Sequence, residues 1–203
     1  MSSCLISESG LKEAVINKNI RAIGKGAFKG CLDLINIVFE AGSALVSIED
    51  QAFYACSSLE QISLPRNLAS IGAYAFAGTR YFDDGLNDYV YRSSLKKVEF
   101  DEKSNLETIG DYAFYLCVNL KDIQLPSNVE SIGKAAFRQS GLTSVSLEGS
   151  QITLISEEAF YGCQSLVNVE LPSALVAIQN GAFAFCSNLE TVIFTGEGAE
   201  YIF

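Results

Sequence analysis

Alanine-phenylalanine pairs recur along the chain in one register: Phe28, Phe53, Phe76, Phe114, Phe137, Phe160 and Phe183 stand 25, 23, 38, 23, 23 and 23 residues apart. Repetition at this period marks a solenoid, in which no unit can bury its apolar face alone and stacked neighbours build one continuous core. Six residues after most of these phenylalanines, and five in the fifth unit, a leucine opens the pattern L-x-x-[IV]-x-[LF]. Those leucines are Leu34, Leu59, Leu95, Leu120, Leu142, Leu166 and Leu189. An earlier copy, Leu11, Ala14 and Ile16, has no Ala-Phe segment of its own. Eight strand-like segments and seven complete turns therefore make residues 1–203 a single solenoid, with repeats over about 11–194 and incomplete repeats at both ends.

Each L-x-x-[IV]-x-[LF] segment ends in alternating apolar and polar residues, the period of a short strand with one buried face. A second apolar pair follows at three-residue spacing, as in Leu68/Ile71, Leu106/Ile109, Val129/Ile132, Ile152/Ile155 and Leu175/Ile178, and closes the inner side of the coil. The Ala-Phe segment itself, for example Glu157-Glu158-Ala159-Phe160-Tyr161, reads as about one helical turn, capped in that unit by Ser156. Gly24, Gly72, Gly110 and Gly133 follow the isoleucine where the chain must bend. The three prolines, Pro65, Pro126 and Pro172, each end a strand, in alternate units. The intervening units use longer polar turns at 40–44, 101–105 and 148–151, so the period of the structure is expected to be a pair of units, with a two-step corrugation.

The unit C-x-x-L-x-x-I-x-L-P-x-x-[LV]-x-x-I-G-x-x-A-F, nearly unbroken from Cys56 to Phe76 and from Cys117 to Phe137, resembles the BspA-type leucine-rich repeat. The resemblance covers roughly residues 11–194. It implies an α/β solenoid: a leucine-rich repeat arc with a parallel β-sheet on the concave face and short helical turns or irregular segments opposite. It also implies a recognition or adhesion scaffold for a protein or glycan partner at a cell surface or in the secreted fraction. Met1 as the native start, with no apolar leader after it, would instead fit the cytoplasm.

Composition narrows the chemistry. The chain has no histidine, which removes Ser-His and Cys-His nucleophile pairs and His-ligated zinc. A net charge of -10 disfavours the phosphate backbone of nucleic acid, which needs a basic face. No apolar run is long enough to insert in a membrane. No phosphate loop, metal constellation or cofactor motif is visible, so an enzyme is the weakest reading. The six cysteines fall largely in the repeat: Cys31, Cys56, Thr79, Cys117, Ser140, Cys163 and Cys186 each lie three residues after the Ala-Phe phenylalanine. A column that also accepts threonine and serine is expected to be a ladder of buried, reduced thiols and hydroxyls bonded to the backbone of the neighbouring coil. Cys4 lies outside the register.

Two places stand out as partner-binding candidates. One is a charged patch on the exposed strand columns, Lys96, Lys97 and Lys121 beside Glu99 and Asp122. The other is the insertion at about 80–94, where 13 extra residues separate Phe76 from Leu95. Its arms, Arg80-Tyr81-Phe82-Asp83-Asp84 and Tyr89-Val90-Tyr91-Arg92, flank a Gly/Asn/Asp-rich centre and read as a β-hairpin. Such insertions in repeat proteins project from one face and often bind, though these aromatics could equally pack down over the coil. A calcium turn on Asp83, Asp84, Asn87 and Asp88 lacks the EF-hand spacing. The functional alternatives are a recognition scaffold and a structural subunit that joins neighbours end to end or continues into flanking repeats. The ends, including Glu200-Tyr201-Ile202-Phe203, carry no polar cap.

Overall fold

A computed structural model describes residues 10–195 and winds them into a stack of coils. All coils but one contribute one longer strand, β1 (Glu13–Ile16), β3 (Asn36–Phe39), β5 (Gln61–Leu64), β9 (Lys97–Phe100), β12 (Ser144–Ser146), β14 (Asn168–Leu171) and β16 (Thr191–Phe194), whereas residues 121–125 of the remaining coil form none. Two-residue strands follow at the inner apolar pairs: β2 (Ala22–Ile23), β4 (Ser47–Ile48), β6 (Ser70–Ile71), β10 (Thr108–Ile109), β11 (Ser131–Ile132), β13 (Leu154–Ile155) and β15 (Ala177–Ile178). All pairings between coils are parallel, and equivalent repeat positions face one another, as Ile62 faces Val98 and Val169 faces Val192. The insertion forms an antiparallel hairpin of β7 (Thr79–Asp83) and β8 (Asp88–Arg92).

The phenylalanine column runs through the stack without interruption. Neighbouring rings lie 5.2–5.4 Å apart and within 7° of parallel from Phe28 to Phe183, and Phe76 meets Phe114 across the insertion at 5.4 Å. The hairpin thus leaves the core register undisturbed. It branches at Gly78, where a Cβ would come within 2.7 Å of the Leu116 carbonyl and 2.8 Å of the Ser93 side chain. Around the column, inward-facing leucines and isoleucines of the repeat pattern, such as Leu34, Ile62, Leu106 and Ile132, are buried. Each buried ring contributes about 1.5–3 kcal/mol relative to exposure.

The opposite face corrects the expected helical turns, since the described residues contain no helix. Amides in the Ala-Phe segment point alternately in two directions. Those of Ala27, Lys29 and Cys31 bond back three residues, whereas those of Gly26, Phe28 and Gly30 cross to carbonyls of the next coil. The same three crossing bonds recur at all six junctions between Ala-Phe segments, always donated toward the C-terminal neighbour. A helix cannot do this, because it spends its amides on its own chain. The alternation instead requires a left-handed residue two before every column phenylalanine and, except at Gly78, two after it. Gly26, Gly162 and Gly181 meet that need cheaply, but Tyr74, Tyr112, Leu116, Gln139 and Phe185 adopt it at φ of 55–61°. The Ser156 hydroxyl donates to the Ile132 carbonyl of the preceding coil, at 2.6 Å, and caps nothing.

Glycine after the isoleucine is explained by close approach rather than by bending. A Cβ on Gly72 would lie 2.5 Å from the Asp50 amide, one on Gly110 2.8 Å from the Ala73 amide, and one on Gly133 2.6 Å from the Asp111 amide. The three prolines open identical turns, with Leu68, Val129 and Leu175 donating to Pro65, Pro126 and Pro172.

The thiol ladder takes its expected form, except that Cys186 is only half-buried and the Ser140 hydroxyl meets a thiol rather than a carbonyl. Cys56, Cys117, Cys163 and Cys186 donate to the carbonyls of Phe28, Phe76, Phe137 and Phe160 in the preceding coil, at 3.1–3.3 Å, and Ser140 lies 3.3 Å from the Cys163 sulfur. The five cysteines within the described residues are free thiols. One rung differs: Thr79 leaves the column for β7, and Ser93 faces the Cys117 thiol in its place. Cys4 and the segment 200–203 lie outside the described residues.

Candidate functional site

The exposed side of the longer strands departs from the single sheet the resemblance implies. It is divided into β1-β3, β5-β9 and β12-β14-β16. No backbone hydrogen bond joins 35–39 to 60–64, or 96–100 to 121–125, among the described residues. Both of these gaps fall where a coil with a five-residue polar turn precedes a coil with a proline turn, but the ladder also lapses between 121–125 and β12, where a single backbone bond, from Thr143 to the Lys121 carbonyl, remains. The third such junction, with the shorter turn at 148–151, keeps its pairing through β12 and β14. Turns of unequal length thus coincide with two of the breaks in the sheet and do not account for the break between 121–125 and β12.

The second gap opens a cleft of about 830 Å³. Leu64, Val98, Phe100 and Ile123 contribute its apolar surface, and Ser63, Lys96, Lys97, Glu99, Asp101, Lys121, Asp122 and Gln124 its polar surface. The charged patch read from the sequence lies in this cleft. Lys96 pairs with Glu60 at 2.8 Å, and Lys97 with Glu99. Glu99 also accepts the Ser63 hydroxyl at 2.7 Å, and the bonds from Lys97 and then Ser63 hold its carboxyl below the ordinary value. Lys121 and Asp122 have no side-chain partner among the described residues. The Lys121 carbonyl takes the amide and hydroxyl of Thr143, but the amides of 122–125 meet no backbone acceptor. The cleft thus offers an unpaired cation, an unpaired anion and unused backbone donors above an apolar surface.

The hairpin is a separate site, and none of its residues lines the cleft. Arg80 faces Tyr91 across its ladder, and the Arg92 guanidinium lies 4.5 Å from the centre of the Tyr81 ring. Tyr81 and Tyr91 remain about 40% exposed, and Tyr91 lies beside coil residues on one flank of the stack. The side chains of Phe82 and Tyr89 lie outside the described part of the structure. Asp83 accepts the amides of Gly85 and Leu86 and shapes the turn, while Asp84 is exposed. The described residues contain no group of three or more acidic or cysteine side chains able to hold a metal ion, and no helix long and apolar enough to cross a membrane.

Sequence reasoning missed a row of half-buried aromatics beside the phenylalanine column. Tyr74 stacks on Tyr112 at 4.7 Å, Tyr54 and Tyr115 meet them edge-on, and Arg138 lies over Tyr161 at 4.1 Å. Burial, and then the neighbouring phenols, push the Tyr74 hydroxyl above its ordinary value. The signal was present as tyrosines at two positions flanking the Ala-Phe pair.

A stack of parallel coils, each carrying a leucine-opened strand and a phenylalanine turn, defines a leucine-rich repeat solenoid. Six copies of the BspA type leucine rich repeat region match residues 2–83 and 85–202, and the chain belongs to that family. No sequence relative among curated proteins matches it. Several solved structures are similar. A leucine rich repeat protein of T. pallidum shares 27% identity over 92% of this chain and 76% of its own, with a TM-score of 0.65. One from Eubacterium ventriosum shares 22% over 91% and 49%, at 0.62. A leucine rich cell surface protein of Faecalibacterium prausnitzii shares 22% over 93% and 61%, at 0.50. The chain thus spans from about half to three quarters of the length of these proteins.

Proposed function

We propose that the protein is a non-enzymatic recognition scaffold that binds an extended segment of a partner protein in the cleft between β9 and residues 121–125. The observation that carries this reading is the interrupted ladder. Unused donors beside an open strand edge suit the main chain of an extended peptide, which binds by adding hydrogen bonds along its length. Lys121 and Asp122 then supply charge selection, and the apolar surface of Val98, Phe100 and Ile123 supplies burial. The volume lies within the range of about 300–1,000 Å³ usual for ligand sites. The test is selection of phage-displayed random peptides on the full chain, followed by calorimetry of the enriched ones. Exchanging the charges, Lys121→Glu with Asp122→Lys, is expected to weaken them at least about tenfold, as a pair of charged contacts would. Enriched peptides that bind the exchanged variant with full affinity would move recognition off the cleft.

A structural role in assembly is favoured by one observation. In the last described coil Val176, Ile178 and Phe185 are 84%, 43% and 70% exposed, while Ile155 one coil earlier is fully buried. Sedimentation analysis of Ile178→Lys against the unchanged chain separates the readings, because assembly through this coil requires the variant to sediment as a smaller species.

A further inference from the structure

A second hollow of about 190 Å³ lies on the flank where each coil passes from its turn face to its strand. Gly141 and Gly162 form part of its surface, Gln139, Gln164 and Ser165 supply polar groups, and Tyr91 reaches it from β8. No acidic or basic side chain lines it, in a chain that carries a net charge of -10. The Lys121 ammonium is near, 3.2 Å from where a Cβ on Gly141 would sit, but Lys121 lines the cleft on the strand face and not this hollow.

We propose that this hollow binds a single neutral sugar ring, as a subsite of the recognition scaffold argued above. Four observations converge on that class of ligand. The hollow is smaller than the roughly 300 Å³ at which sites for drug-sized ligands begin, and suits one ring rather than a peptide segment. Its polar groups are side-chain amides and a hydroxyl, which both donate and accept, as sugar hydroxyls do. Neither Gln139 nor Gln164 has a side-chain partner among the described residues, so both amides are available. Tyr91, 41% exposed, offers an apolar ring with a polar tip, the pairing that suits a sugar's C–H face and hydroxyl rim.

The backbone sets which groups reach the hollow. Gln139 takes the left-handed conformation that the turn face requires two residues after the column phenylalanine, as Gly30, Ala55, Leu116, Gly162 and Phe185 also do, and in this turn the place carries a side-chain amide that lines the hollow. Gly141 cannot carry a side chain, because its Cβ would fall 2.1 Å from the Val118 carbonyl, and its bare backbone forms part of the hollow's surface. The absence of charge favours a neutral ring over a phosphate or an acidic peptide, either of which would be bound through Lys or Arg.

The experiment titrates the full chain, labelled with nitrogen-15, with methyl glycosides of galactose, mannose and N-acetylglucosamine, using glycerol as the polyol control. At least one glycoside is expected to shift the amide signals of Gly141, Gly162 and the Gln164 side chain saturably. Binding is expected to be the same at low and high salt, since no charge is engaged. Tyr91→Ala, with an unchanged circular dichroism spectrum, is expected to weaken it about tenfold or more, and Gln164→Ala to weaken it further. Four results would overturn the proposal: no saturable shift with any of the three glycosides, the same shifts with glycerol, shifts that survive Tyr91→Ala, or binding that vanishes as salt is raised. The strand-face reading is scored separately by peptide binding to the same sample and its loss in Lys97→Glu. Sugar binding can therefore fail while the scaffold reading stands, and peptide binding can fail while the sugar site stands.

Discussion

Replacing Phe137 with alanine tests whether the ring column holds the coils together or merely fills space. Phe137 is fully buried, with Phe114 at 5.2 Å on one side and Phe160 at 5.4 Å on the other. Truncating a buried phenylalanine costs about 3–5 kcal/mol. About 1–3 kcal/mol of that belongs to the two ring contacts, at the usual worth of an aromatic pair. Phe183 is half-buried and has a single described ring neighbour, Phe160 at 5.3 Å. Phe183→Ala should therefore cost about half as much. Phe137→Leu keeps the burial and loses only the stacking, and is expected to cost about 1–2 kcal/mol. Urea unfolding followed by far-ultraviolet circular dichroism and tyrosine fluorescence reads all three, since the chain has no tryptophan. Equal losses for Phe137→Ala and Phe183→Ala, or a loss below about 1 kcal/mol for Phe137→Ala, would refute the coupling of coils through the column.

Gly110→Ala drives a Cβ to 2.8 Å from the fixed backbone of Gly72 and Ala73, and should cost about 2–3 kcal/mol, whereas Gly24→Ala, with its nearest neighbour 3.9 Å away, should cost nothing; paired melting curves decide. Burial pushes the Cys117 thiol up to about 12 from an ordinary 9.0. Because the raised group favours the protonated thiol in the fold, its stabilisation is complete below about pH 9 and is lost as the pH rises toward 12. Cys117→Ser should flatten that part of the stability profile, and the buried thiols should resist a thiol reagent until denaturant is added. Excising residues 80–92 with a short glycine-serine link should leave the melting temperature within a few degrees, because Phe76 and Phe114 already stack across the insertion; a large loss would mean that the hairpin braces the coils.

The register of the coils was legible because burial enforces it: Phe28 through Phe183, the leucines and the small thiol column recur wherever the core demands them. The hairpin was legible for a different reason, since 13 residues beyond the period must leave the stack. The turn face was misread because Glu157-Glu158-Ala159-Phe160-Tyr161 has good local helix chemistry. The bonds that override it run to Asn180, Ala182 and Ala184 in another coil, and no local pattern announces them. Lys96, Lys97, Lys121 and Asp122 stand out in the sequence as an unusual charge cluster on exposed columns. That they border a cleft was not legible, because the cleft exists only where residues 96–100 and 121–125 do not pair, and no local pattern announces that break. Thr79 was assigned by count to a column it leaves, since its coil departs toward the hairpin one residue earlier, at Gly78.

The uniform direction of the turn-face hydrogen bonds also fixes how the molecule carries load. Pulled along the stack axis, the coils are links in series, and every junction bears the whole force through the same three turn-face bonds together with the strand pairings present there. Among the described residues no backbone hydrogen bond spans more than one junction, so the weakest link opens first and releases one coil without relieving the next. A coil of 23 residues frees about 80 Å of chain at full extension, several times the thickness it occupied in the stack. Such a molecule yields in instalments and lengthens greatly before it parts, as a tether does and a strut does not.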